Sequence, residues 1–236
     1  MKVNVKRYII IIFKTILAFD LIILPVILPG YTQYRRTNPP NYFFLEKEIV
    51  KELNLARQNP KKYAFFLEQL KTYYVGRYIK QPGRITIVTE EGISAVDEAI
   101  RFLKSMKRVN RLEYSTGMSK AAMDHVKDQG PKGMFGHKGS DGSKPAERMS
   151  RYGDWRWTAG ENISYGRDKA RDIVMGLIID DGVPGRGHRD NIFNSMYRFV
   201  GVACGYHKIF DTMCVITFAG EFVEKRGKSR QNSKSK

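Results

Sequence analysis

The sequence predicts an α+β domain in which helices cover a sheet, and three observations point there. Segments with helical periodicity come first, and strand-like runs then appear mixed with shorter helices. The runs Phe199–Tyr206 and Thr212–Ala219 flank a short polar turn at His207–Asp211, the pattern of an antiparallel hairpin. The layout lacks the repeated strand–helix alternation of a doubly wound parallel sheet.

Asn38-Pro-Pro-Asn41 reads as a linker. Phe43–Arg57 then places Phe44, Ile49, Leu53 and Ala56 on one apolar helical stripe. Asn59-Pro60 ends this helix and starts another over Pro60–Tyr74, with Asn as N-cap and Pro at the first helical position. Val75–Gly92 reads as loop with a short extended piece. Helices follow at Ile93–Lys107 and Ser119–Gln129, the second stopped by Gly130-Pro131. Gly133–Gly142 holds four glycines in ten residues and must run as a loop. Lys144–Arg151 suits a short helix and Trp157–Tyr165 a strand. Asp168–Ile179 suits a helix with an apolar face at Ile173, Leu177 and Ile178. Asp180–Gly187 is loop again, and His188–Asn194 a helical turn before the hairpin.

The chain has 236 residues, which after removal of both ends suits one domain with a buried core rather than two. Its formal charge of +17 is concentrated at the ends and otherwise spread. Lys225–Lys236 carries six basic residues and no acid, and Met1–Gly30 carries four against Asp20 alone. This balance predicts attraction to anionic surfaces, such as a lipid membrane or acidic glycans. No nucleic-acid-binding motif or aromatic–basic interleaving occurs, so nucleic acid is not expected as a partner.

Residues 1–30 run from charged (Lys2, Lys6, Arg7) through apolar (Tyr8–Phe13, Leu21–Leu28) to Pro29-Gly30, the order of an export signal. Lys14 and Asp20 disfavour a stable membrane span, each costing on the order of 3 kcal/mol near the bilayer centre. No small-x-small cleavage site stands out, so the expected product is either secreted or exported and anchored through residues 8–28. A buried N-terminal helix is the plain alternative. The chain thus divides into an export signal or anchor (1–30), a linker (31–42), one domain (43–222) and a disordered basic tail (223–236).

The two cysteines fit an oxidising compartment. If the hairpin turn centres on Ile209, residues whose numbers sum to 418 face one another, and Cys204 and Cys214 meet that sum. Opposed residues lie about 4.5–5.5 Å apart at Cα, within reach of a disulfide. A register shifted by one residue would instead leave two buried free thiols on opposite faces.

Candidate chemistry sits in the glycine-rich loops and one strand: His137 in GMFGHKGSDG, Glu161 in TAGENIS, and His188 in PGRGHRDNI, with Asp180 and Asp181 just before the last loop. Two imidazoles and two carboxylates in one cleft can bind a divalent metal, or can move a proton without one. Spacing alone does not bring them together, and by itself it favours each histidine serving a loop hydrogen bond. No HExxH, CxxC or G-x-S-x-G element is present. His125 reads as a helix-packing or helix-surface residue, His207 as solvated in its turn, Trp155 and Trp157 as core or half-exposed cover. Arg189 either holds Asp190 or a neighbouring carboxylate, or lies exposed.

Three motifs in order, Phe135-Gly-His137 with Gly139-Ser-Asp-Gly142, Ala159-Gly-Glu-Asn-Ile163, and Gly187-His-Arg-Asp-Asn-Ile192, resemble the SCP/CAP superfamily of cysteine-rich secretory, antigen 5 and pathogenesis-related proteins. The likeness covers about Phe43 to Phe222 and lies nearest the bacterial-like branch. It implies an α-β-α sandwich with a mainly antiparallel sheet. It also implies a cleft tetrad of His137, Glu161, His188 and a fourth acid, for which Asp180 is the best match and Asp181 the next. Family members usually carry Glu there, one methylene longer. Some members hold zinc or another divalent ion through the two histidines, which here are His137 and His188. The function this implies is that of an exported binding or interaction protein, its cleft holding a divalent metal and taking lipid or another extracellular ligand. The alternative is a metal- or His-dependent hydrolase of peptide or cell-wall material.

Overall fold

A computed structural model describes residues 8–10 and 40–225. Most of the expected export segment and linker (1–7 and 11–39) and of the basic tail (226–236) lie outside the described residues. The elements run β1 (Tyr8–Ile10), α1 (Tyr42–Gln58), α2 (Pro60–Lys71), β2 (Tyr74–Val75), β3 (Tyr78–Ile79), β4 (Thr86–Val88), α3 (Ile93–Ser105), β5 (Glu113–Tyr114) and α4 (Thr116–Gln129). Then follow α5 (Pro145–Ser150), β6 (Gly153–Tyr165), α6 (Ala170–Ile179), α7 (Gly187–Phe193), β7 (Phe199–His207) and β8 (Asp211–Glu224). No helix among the described residues is long and apolar enough to cross a membrane.

Asn41 starts α1 by accepting a hydrogen bond from the Phe44 N–H, the usual way a side chain satisfies an orphan donor of the first turn. The buried stripe of α1 is Leu45, Ile49, Leu53 and Ala56. Phe44, expected on that stripe, is 61% exposed. Leu45 sits four residues before Ile49 and shares its face, whereas Phe44 is rotated about 140° from it. Pro60 opens α2 at its first position, although the Asn59 side chain makes no capping bond there. That helix stops at Lys71 rather than Tyr74, because Tyr74 and Val75 turn into a strand. Val75–Gly92, expected as loop with one extended piece, supplies β3, β4 and part of β2, which with β1 form a small sheet in the order β1-β4-β3-β2.

The main sheet has the order β5-β7-β8-β6, antiparallel except for the short parallel contact of β5 with β7. Period-two alternation distributes its side chains to two helical layers. Val200, Val202, Cys204, Cys214, Ile216 and Phe218 join the core built with α1, α2, α3, α6 and α7. Ile163, Ala203, Met213 and Val215 face α4 instead. The domain is therefore the α-β-α sandwich with a mainly antiparallel sheet. Gly201 lets α4 lie directly on β7, since a Cβ there would overlap the Met118 backbone.

Within the hairpin, Cys204 pairs with Cys214 at a Cα separation of 4.1 Å and forms the disulfide. The turn differs from expectation in one respect. His207 is fully buried, because the turn folds against the loop after α4. Its Nε2–H donates to the Met134 carbonyl at 2.8 Å, and its Nδ1 accepts from the Ile209 and Phe210 amides at 3.2 Å each.

Candidate functional site

The loop between α4 and α5 delivers His137. Its Nδ1–H donates to Glu161 Oε1 at 2.9 Å, while the ring is half exposed. Glu161 is buried, and its other oxygen accepts from Arg148 of α5 at 2.7 Å. Three successive carbonyls of the loop are held from behind. His125 binds the Gly136 carbonyl at 2.8 Å, Arg148 that of His137 at 3.1 Å, and Gln129 that of Lys138 at 2.7 Å. A glycine-rich segment that would otherwise be loose is thus fixed where it carries the imidazole.

The second imidazole comes from the other helical layer. Asp180 ends α6 in the left-handed conformation, φ 55°. Asp tolerates this better than most residues, and it curls the backbone toward α7. Its carboxylate accepts from the His188 backbone N–H at 2.9 Å and from His188 Nδ1–H at 2.6 Å. The shorter acid reaches because the backbone comes to it. Asp181 points elsewhere, accepting from the Glu90 and Glu91 amides at 2.7 and 2.9 Å.

Residues Glu161 and Asn162 show why these motifs occur together. Neighbours on a strand point to opposite faces. Glu161 therefore meets His137 on the α4–α5 side, while Asn162 donates to the His188 carbonyl at 2.9 Å on the other. Asn191 of α7 returns a bond to Asn162 Oδ1 at 2.8 Å. The two imidazoles end with ring centroids 6.4 Å apart, inclined at 36°.

All four expected side chains are thus brought together, as two histidine–carboxylate pairs. Each Nδ1 is engaged by an acid, which orients the ring and sets the tautomer whose Nε2 has the chemistry of a metal ligand. Among the described residues no group of three or more His, Cys, Asp or Glu side chains is arranged to hold a metal ion. What the cleft offers an ion is two imidazole side chains, their ring centroids 6.4 Å apart. Imidazole donors suit zinc and its transition-metal neighbours rather than calcium or magnesium.

The other side chains settle between the places expected for them. Arg189 is buried and holds a neighbouring carboxylate, donating to Glu98 Oε1 at 2.8 Å and to the Ile178 and Ile179 carbonyls. Trp155 is half-buried, its indole donating to Ser150 Oγ, and Trp157 is 77% exposed at a bulge in β6. His125 is a packing residue of α4, fully buried. Arg148, Asn162, Asn191 and Glu98 were not among the expected site residues. Asn162 and Asn191 lie inside the motifs, which was their one signal in the sequence, whereas Arg148 and Glu98 lie outside them.

Burial holds the His125 and His207 imidazoles below the ordinary histidine value. Both are neutral in the folded domain, so as pH falls below about 6.5 the unfolded chain takes up protons first. Stability conferred by the neutral rings is complete above that pH and is lost as pH falls toward their depressed values. Protonating His207 Nδ1 also removes the acceptor of two amides. We expect urea unfolding to give lower stability at pH 5.5 than at pH 7. The His125→Asn/His207→Asn variant should lose part of that slope. Equal slopes in the two proteins would show that these rings do not set it.

The cysteine-rich secretory protein (CAP) family model matches residues 53–218, and the chain belongs to that family. It is 26% identical over 121 residues to the uncharacterized protein YkwD of Bacillus subtilis, spanning 50% of this chain and 45% of the relative. The chain thus matches less than half the length of that curated relative. Among solved structures it is similar to an extracellular SCP-domain protein of Bacillus anthracis, at 21% identity and TM-score 0.38 over 47% of this chain and 34% of the other. It is also similar to an outer surface protein of Borrelia burgdorferi, at 18% identity and TM-score 0.41 over 47% of this chain and 78% of the other.

Proposed function

We propose that the domain is an exported binding module whose two-imidazole cleft holds a divalent metal ion, zinc foremost, and presents it to an extracellular ligand. One observation carries this reading: the His137 and His188 rings lie with centroids 6.4 Å apart, and each Nδ1 is fixed by a carboxylate. Such carboxylate–histidine pairs fix the tautomer and raise the ligand basicity of the remaining nitrogen. The export-type N-terminal sequence and the disulfide suit an extracellular setting. The charge of +17 and the basic tail suit a lipid or other anionic surface as a further contact. Hydrolysis is less well supported. Glu161 and Asp180 are buried with each oxygen already accepting a hydrogen bond, which places them poorly to take a proton from water, and the disulfide consumes both sulfurs.

Protein purified without chelator should carry zinc near one equivalent by elemental analysis. His137→Ala and His188→Ala should each lose it while keeping the helical circular dichroism. Full retention of zinc in either folded variant would remove that residue from the site.

A further inference from the structure

Two arginines lie on either side of His188, and one carboxylate outside the cleft holds both. Arg186 precedes α7 with φ 55°, a conformation rare for a residue with a side chain. It donates to Glu98 Oε2 at 2.6 Å and to both oxygens of Glu91 at 2.6 and 2.7 Å. Arg189 donates to Glu98 Oε1 at 2.8 Å, and its other nitrogens hold the Ile178 and Ile179 carbonyls at the end of α6. Arg186 also reaches the Asp180 carbonyl at 2.7 Å. Glu98 itself belongs to α3, which otherwise contributes nothing to the cleft described above.

α7 has seven residues, too few to be stable by itself, so its placement comes from neighbours. Bonds from Asp180 fix the His188 end, and Glu98 fixes the arginines before and after it. A shift of α7 against α6 would lengthen the 2.6 Å bond that orients the His188 ring. We propose that Glu98 is a positioning residue for His188: by gripping Arg186 and Arg189 together it locks α7 against the end of α6 and keeps the imidazole on Asp180. Glu91 shares Arg186 but is not bonded to Arg189, which makes it the natural control. An open hollow of about 640 Å³, lined by Glu91, Glu98, Gly182, Pro184, Gly185 and Arg186, borders this cluster. Glu98 is accordingly 40% exposed, and neutralising it disturbs little packing.

The test uses the full chain labelled with ¹⁵N-histidine. Long-range nitrogen–proton spectra report the tautomer of each ring without any metal. Wild type should show His188 as the Nδ1–H form. Glu98→Gln should mix or shift the His188 tautomer signals while leaving those of His137 in place, Glu91→Gln should do so less, and Glu98→Asp should restore part of the wild-type pattern. Should Glu98→Gln fail to fold, Glu98→Asp is read in its place, with a smaller shift of the same signals expected. The metal readout rests on the cleft reading: zinc affinity should fall about tenfold in Glu98→Gln. Unchanged His188 signals in folded Glu98→Gln, or in Glu98→Asp where that variant stands in, would overturn the proposal. So would equal changes in Glu91→Gln, or equal changes at His137. Absence of zinc binding by wild type would overturn the metal reading alone, since the ring signals judge Glu98 without it.

Discussion

Arg148→Met is expected to destabilise the domain by about 3–5 kcal/mol, because it strands the Glu161 carboxylate in a buried site. The arginine and the acid are 2% and 1% exposed, so water cannot take over the lost partner. The same guanidinium also holds the carbonyls of His137 and Ser143. Urea unfolding of Arg148→Met, Glu161→Gln and the double variant would measure the coupling. The double variant should be clearly more stable than the sum of the single losses allows, since removing both charges removes the desolvation penalty with the attraction. Additive losses would mean that the pair is not coupled and that Arg148 acts through the carbonyls alone.

Arg57→Met is the second large effect, expected at about 3–5 kcal/mol from several buried acceptors left unpaired at about 1–3 kcal/mol each, partly relieved by relaxation. Arg57 is completely buried near the end of α1. Its guanidinium donates to four carbonyls, of Asn110, Ile192, Asn194 and Tyr197, at 2.6–3.1 Å. Burial lowers its own pKa to about 10, still leaving it charged at neutral pH. Arg57→Lys should recover only a minor part, because one ammonium cannot match the planar fork that meets four acceptors. A loss below about 1 kcal/mol for Arg57→Met would show that the loop after α7 finds other donors.

Much of the architecture was readable from periodicity. The helices from Ile93 and up to Gln129, the apolar face of α6 and the facing cysteines all follow from spacings of 3.6 and 2.0 residues. Where local pattern failed, tertiary contact decided. Phe44 looked apolar enough for the core, yet a one-residue rotation gave its place to Leu45. β5 was missed because two residues, Glu113 and Tyr114, carry no alternation to read. His207 was expected in solvent, and only the packing of a distant loop against the turn buries it. At the cleft, His137, Glu161 and His188 were visible as residues of three motifs, and Asp180 was preferred over Asp181 by likeness. Their convergence was not visible, because it depends on an edge strand whose consecutive residues serve opposite layers. Arg57 and Glu98 were hidden for a related reason, their partners lying 53 or more residues away, and Arg148 because its nearer partners are two carbonyls and a strand carboxylate that no spacing announces.

That edge strand has a further consequence. β6 closes one side of the sheet, and the imidazoles reach past it from separate helical layers, one through the loop after α4 and one through α7. Anything that touches both rings at once becomes a clasp across the rim of the sandwich, joining the helical layers on either side of the sheet. Occupancy would then be felt as cohesion of the whole molecule, growing with the logarithm of ligand concentration, rather than as a local event at the surface.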